Sequence, residues 1–213
     1  YLKSHKIKSE ITNNNSLLNS FLTFRGNNED LYLEAKMEAY EDLTKEQSSD
    51  KYQYLFPSFE LSKSFNNNLN LDSNGYYKNY DTNVFEKVLI NDLRYSSIPK
   101  INTNGFISRF NLLFKNVTTE SDNSNEYSNN FRSQNFGSLL YDISYPLKKE
   151  GDNFDSFISG KASLMYSPNK NKNIKNLDRK IDIKNIFNQN RLGLSDSVEG
   201  GQSLTIGGEY KIT

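Results

Sequence analysis

Strict two-residue alternation near the end of the chain constrains its fold more than any other feature. Across 203–212, Leu204, Ile206, Gly208, Tyr210 and Ile212 fall on one side, and Ser203, Thr205, Gly207, Glu209 and Lys211 on the other. Successive strand side chains point to opposite faces, so the run predicts a sheet with one apolar and one polar face. A second strand is predicted over 162–167. The polar connection between the two closes on Asn190-Arg191, Asp196 and the turn Val198-Glu199-Gly200-Gly201.

The same alternation recurs upstream. In 31–40, Leu31, Leu33, Ala35, Met37 and Ala39 oppose Tyr32, Glu34, Lys36, Glu38 and Tyr40. Helical spacing would scatter these apolar residues around a cylinder, so period outweighs the helix propensity of Ala, Glu, Lys and Met. A strand is expected over 16–25. Leu55, Phe59 and Leu61 are expected to oppose Phe56, Ser58, Glu60 and Ser62, with Pro57 marking a strand start or a bulge because proline donates no ladder bond. Leu69 and Leu71 continue the pattern after the turn at 66–68. Leu89, Leu93 and Tyr95 oppose Asp92 and Arg94; Phe106, Phe110, Leu112 and Phe114 oppose Arg109, Asn111 and Lys115. Leu139, Tyr141, Ile143 and Tyr145 oppose Ser138, Asp142 and Ser144, and Ile158, Ala162, Leu164 and Tyr166 oppose Ser159, Lys161 and Ser163. Loops are expected at 44–51, 97–105, 118–134 and 146–153. The count is roughly nine strands, ten if 3–11 pairs, each about 9–13 residues long where strands of soluble sheets run nearer about 5–6.

Strands of that length suit a barrel wall crossing a bilayer, which needs about 9–11 residues per strand. Two further features agree. Every second connection is expected to be the larger, as in outer-membrane barrels with short periplasmic turns and longer outer loops. Tyr52, Tyr54, Tyr76, Tyr77, Phe136, Tyr145, Tyr166 and Tyr210 gather at strand ends, as an interfacial girdle would require.

Composition fits a sheet that is half wet and half dry. Mean hydropathy is −0.78, yet 14 Tyr and 14 Phe argue against disorder. Lys plus Arg equals Asp plus Glu at 26 each, so no global field attracts nucleic acid, and no nucleic-acid partner is expected. No apolar stretch reaches the roughly 18 residues of a spanning helix. The opening at Tyr1 without a signal peptide suggests one segment, 1–213, of a larger barrel domain.

Chemistry is sparse. With no cysteine there is no thiolate site or thiol nucleophile. The single histidine, His5, sits in a basic stretch without evident partners. Neither a phosphate-cradling GKS/T loop nor HExxH is present. No cofactor or metal is expected, and no enzymatic activity. The Lys-Asn run at 170–180 reads as a solvated loop.

Particular residues carry a resemblance. Tyr166-Ser167-Pro168-Asn169 ends one strand; then come Ile186-Phe187, Asn190-Arg191, Gly193, Asp196, Glu199-Gly200-Gly201 and a strand ending Gly208-Glu209-Tyr210. This resembles the barrel of the LptD, or organic-solvent-tolerance, family of lipopolysaccharide-assembly outer-membrane proteins. Leu55-Phe56-Pro57-Ser58, followed by a three-Asn turn, resembles that family's mid-barrel hairpin. Ser197 stands where the family usually has arginine, with one extra residue before Asp196. The resemblance implies transport without covalent chemistry in the bacterial outer membrane. Lipopolysaccharide would arrive from a periplasmic bridge and enter the outer leaflet, and a small LptE-like lipoprotein would plug the lumen. Glu34, Lys36, Glu38, Arg94, Arg109, Lys161, Glu209 and Lys211 would form a charged lumen wall, and outer-membrane lipid would wet the other face. A porin or siderophore receptor, and a soluble surface adhesin module, remain the alternatives.

Overall fold

The computed structural model describes residues 2–3, 17–45, 51–80, 83–151, 154–173 and 179–212. Within them the chain is all-β. Its strands are β1 (Leu2–Lys3), β2 (Leu17–Asn28), β3 (Leu31–Asp42), β4 (Tyr52–Asn66), β5 (Leu69–Tyr80), β6 (Val84–Ser96), β7 (Lys100–Ile101), β8 (Ile107–Asp122), β9 (Arg132–Lys149), β10 (Ser156–Ser167) and β11 (Gly201–Ile212). They form one sheet in chain order, with short β7 paired back onto β8. This is the expected open, antiparallel up-and-down meander, a connectivity consistent with a partial barrel. His5, most of 3–11 and the middle of the 170–180 run lie outside the described residues.

The strands are longer than alternation suggests. β8 runs on to Asp122 and β9 starts at Arg132, so the loop expected over 118–134 shrinks to 123–131. Small polar residues hide the strand: Thr119 and Ser121 are buried on one side while Thr118 and Glu120 alternate with them. β9 passes through Pro146, which pairs with Ser159, and ends at Lys149, so the turn expected from 146 starts later.

Pro57 marks a bulge, as expected. Ser58 pairs with Lys36 and Leu55 with Glu38, so Phe56 and Pro57 together oppose Met37. The register against β5 shifts at the same place, and the Phe56–Pro57 peptide is cis. The extra residue flips the alternation. Leu55 therefore shares a side with Glu38 rather than with Phe59 and Leu61, contrary to expectation. Tyr52 stacks on Tyr54, and Tyr54 packs against Phe56, on the other side.

The connections follow the expected long-short parity only in part. Glu29-Asp30 and Asn67-Asn68 are tight turns, and 168–200 is by far the longest link. Parity breaks at 97–106, which is longer than both neighbours, 81–83 and 123–131. There β7 extends a hairpin whose turn is closed by Asn102, its Oδ1 accepting from the Asn104 and Phe106 amides, with Gly105 at φ +84°.

The chain divides into two compact units, Tyr1–Asp92 with Asn116–Asn135, and Leu93–Lys115 with Phe136–Thr213. Both bury polar side chains and expose apolar ones. In the first, Thr23, Glu34, Glu86, Thr119 and Ser121 are buried while Leu22, Phe24, Met37 and Leu89 are exposed. In the second, Lys115, Ser138, Ser163, Ser167 and Thr205 are buried, while Phe110, Leu112, Phe114, Leu139, Leu164, Leu204 and Ile206 are exposed, Ile206 to 75%. Neither unit lays a second sheet or a helix of its described residues on its apolar face. The buried side is mixed, since Val88, Ile90, Leu113, Val117, Leu140 and Met165 are buried in phase with these polar residues, whereas a water-soluble sandwich also covers its large apolar residues by interdigitating two inner faces.

Two girdle assignments fall. Tyr76 donates to the buried Glu86 at 3.4 Å and so belongs to the polar side. Phe136 alternates in phase with Ser138 and Leu140 and is also on that side. Proximity to a strand end does not reveal which face an aromatic occupies; phase does.

Candidate functional site

Alternation and register place all eight charged-wall residues on the polar side of the sheet. Glu34, Lys36 and Glu38 lie at i, i+2 and i+4 of β3, and Arg25 of β2 pairs with Glu34. The buried Glu34 carboxylate accepts from Tyr32 Oη at 2.7 Å and Arg25 Nε at 2.7 Å, and pairs with Lys36 at 2.7 Å. The same side of this hairpin holds a cavity of about 780 Å³ lined by Asn19, Phe21, Thr23, Arg25, Lys36 and Glu38. Lys161 and Glu209, diagonal neighbours across the β10–β11 ladder, pair at 2.9 Å, with Lys211 two residues on. Arg94 and Arg109 follow in phase with Asp92 and Asn111. These side chains share a phase without converging on one point.

The residues of 186–201 do converge. The connection between β10 and β11 folds back over the polar side of the second unit and is held there by groups of both wall and loop. Gln189 Nε2 donates to the Ser138 carbonyl at 2.9 Å, to Ser138 Oγ at 2.8 Å and to the Asn111 carbonyl at 3.3 Å. The buried Lys115 ammonium donates to the Ser195 carbonyl at 2.7 Å. Phe187 stands over Gly207, where a Cβ would come within 2.9 Å of its ring. A strand glycine here permits the loop to approach the wall closely.

Inside the loop, Asn190 closes a tight turn. Its Nδ2 donates to the Leu194 carbonyl at 2.8 Å, its Oδ1 accepts from the Leu194 amide at 3.2 Å, and Gly193 takes φ +61° between them. Arg191 grips Glu199 through both Nε, at 2.9 Å, and Nη2. Both side chains are nearly buried, so the fork is shielded from water and orients the turn. Asp196 pairs with Lys172, tying the end of the loop back to its beginning. Leu194 and Val198 are buried, Val198 to 1% exposure. Ser197 is buried beside it, its hydroxyl without a partner among the described residues.

The loop closes at its root. The Gly200 amide donates to Asn171 Oδ1 at 2.7 Å, and the space above Gly200 is filled by the Asn169 carbonyl. Asn169 ties to Gly137 in both directions, accepting from its amide at 3.2 Å and donating to its carbonyl at 3.0 Å. Gly201, at φ +102°, then enters the ladder opposite Ser167. The sequence points to Asn190, Arg191, Gly193, Asp196 and Glu199 in this constellation; Asn169 and Gln189 fall within the stretch that carries the resemblance but with no role assigned, and Lys115 and Asn171 go unmarked. The one signal they leave is an amide-rich loop flanked by glycines, which alone says nothing of where a loop docks.

The arrangement is one of hydrogen bonds and ion pairs that position backbone. Among the described residues, no three His, Cys, Asp or Glu side chains gather to hold a metal ion. No helix of those residues is long and apolar enough to cross a membrane. Compared with known proteins, the sequence matches no family model and no curated protein.

Proposed function

We propose that this chain is a wall segment of an outer-membrane β-barrel serving lipopolysaccharide assembly. One observation carries the membrane part: the apolar side of the sheet is bare and the polar side is the one covered by side-chain networks and by a loop of the same chain. Water penalises that arrangement and lipid favours it. Strand length agrees. From Leu139 to Leu147 the outward residues of β9 span roughly 26 Å along the strand at about 3.3 Å per residue, or about 20 Å of depth at a tilt of about 40°. The assignment to lipopolysaccharide assembly rests on the motif at 186–208 and its likeness to the LptD family. In that reading the charged polar side faces the lumen, an LptE-like lipoprotein and periplasmic bridge components are the partners, and lipopolysaccharide is the cargo.

The second reading is a solute-conducting barrel such as a porin or receptor. The inward connection favours it, because a loop lying on a polar wall narrows whatever passes along that wall.

The tests separate these levels. Single cysteines at positions 204, 206, 209 and 211, introduced into the full-length protein after any other cysteine has been replaced, can carry nitroxides in bilayers. Labels at 204 and 206 are expected to collide with oxygen dissolved in lipid, and labels at 209 and 211, exposed on the opposite side, with a water-soluble nickel reagent. Water contact at all four positions would refute the membrane reading. Depleting the full-length protein and following new lipopolysaccharide to the cell surface tests the cargo. Unchanged arrival, together with solute-selective conductance of the purified protein, would favour the second reading.

A further inference from the structure

The exposed side of β8 changes character along the strand, which passes from the second unit into the first at Asn116. On β8 the side of the alternation that carries Phe110, Leu112 and Phe114 continues as Asn116, Thr118 and Glu120. There a ladder of uncharged polar groups crosses four strands. Ser73 Oγ donates to Asn91 Oδ1 at 2.6 Å, Asn91 Nδ2 to Asn116 Oδ1 at 3.5 Å, and Asn116 Nδ2 to Asn135 Oδ1 at 2.8 Å and to Ser133 Oγ at 3.2 Å. Thr118 Oγ1 lies 3.2 Å from Ser133 Oγ.

With the Thr118 hydroxyl also donating to Asn116 Oδ1 at 3.3 Å, these contacts saturate Asn116 but, among the described residues, not its neighbours. An amide offers two donor hydrogens and two acceptor pairs, and a hydroxyl offers one donor and two pairs. Exposed Asn135 and Ser133 therefore present unused donors and acceptors side by side. Lys87 and Glu120, on the same side, pair at 3.0 Å and cancel one another's charge. Farther along the same side, Tyr77 and Phe85 stack at 6.1 Å, with the Lys87 ammonium within 6 Å of each ring. A net-neutral surface of mixed donors and acceptors complements a polyol, whose hydroxyls both give and accept.

The geometry points to this collar as a contact site for the saccharide headgroup of a membrane glycolipid. The inference rests on the barrel reading above. If the outward apolar residues meet acyl chains, the next groups along the same side meet headgroups, and these groups are built for sugar rather than for phosphate or ammonium alone. The collar is separate from any path along the polar side, since Ser133 and Asn135 are in the opposite phase to the buried Thr119 and Ser121.

The experiment uses the full-length protein in nanodiscs containing both lipopolysaccharide and phospholipid. A photoreactive residue replaces Asn135, Ser133 or, as the opposite-phase control, Thr119. Capture of lipopolysaccharide from 135 and 133 but not from 119 supports the site. In detergent, Asn135→Ala with Ser133→Ala is expected to lower retained lipopolysaccharide roughly threefold to tenfold, the worth of one or two hydrogen bonds, with unfolding midpoint unchanged. Capture of phospholipid alone, capture of a protein, or undiminished retention overturns the proposal. A nitroxide at Met37 separates the failures. Lipid contact at 37 with no glycolipid capture rejects the collar and leaves the barrel; water contact at 37 rejects both.

Discussion

Arg191 and Glu199 show what one residue pair does here. Two nearly buried charges form a fork across the turn, so each has exchanged its hydration for the other. Removing one strands the other. Arg191→Ala or Glu199→Ala is expected to destabilise the docked connection by about 3 kcal/mol, while the joint change Arg191→Met with Glu199→Leu costs less than the two singles added. Hydrogen exchange across 186–200 in the full-length protein measures it; additive costs would mean the pair is solvated and unimportant. The glycines give a second contrast. Gly200 has no room for a Cβ because the Asn169 carbonyl occupies it, whereas a Cβ at Gly193 would meet only Arg179 Nη1 at an ordinary contact distance of 3.5 Å, so that its φ of +61° is what resists a side chain. Gly200→Ala should displace the root of the loop and expose 179–199 to protease. Gly193→Ala should cost about 1–2 kcal/mol and leave the loop docked. Equal protease resistance in the two variants would contradict the close approach at Gly200.

At the scale of the element, the connection 168–200 is the part that sequence can name but not place. Strands are legible because side-chain period is imposed by covalent geometry: 31–40 and 203–212 each read correctly on both faces. Two kinds of error remain. Where strands run on in Ser, Thr and Asn, as over 118–122, no hydrophobic contrast marks the period and the stretch looks like loop. Where a bulge inserts a residue, as at Phe56-Pro57, every inference of phase beyond it inverts, which is why alternation alone puts Leu55 on the wrong side. The motif residues Asn190, Gly193 and Glu199 are visible as a cluster, yet their docking depends on Gln189 reaching carbonyls at Asn111 and Ser138, dozens of residues away. Local patterns carry no information on such pairings. Gln189→Ala removes the bonds to both residues while leaving the internal Arg191–Glu199 fork in place. The connection is then expected to detach as a unit, losing exchange protection at the Gly193 and Leu194 amides together while the β10–β11 ladder keeps its own. Loss confined to the two residues beside 189 would show instead that Lys115 and Phe187 suffice to hold the loop.

For the whole molecule the decisive quantity is the solvent on the apolar side, and one substitution measures it. Leu164 is 54% exposed and lies between Tyr141 of β9 and Leu204 of β11 in the ladder. If water wets it, arginine there changes stability by no more than about 0.5 kcal/mol, the usual range for a surface site with no cap, cavity or buried pair to lose. If hydrocarbon wets it, the guanidinium must be brought into the bilayer interior at a cost of about 2–4 kcal/mol. The two outcomes differ by a factor of about ten or more in the unfolding equilibrium. Leu164→Arg in the full-length protein, unfolded by denaturant from vesicles, is expected to show the larger loss. A companion change near the strand end, Tyr166→Arg, should cost less, because the penalty falls towards the interface where a long cationic side chain reaches headgroups. A depth gradient of that sign requires oil on this side of the sheet. A flat response near zero at both positions would place water there and would take the outer-membrane reading, and the glycolipid collar with it, out of contention.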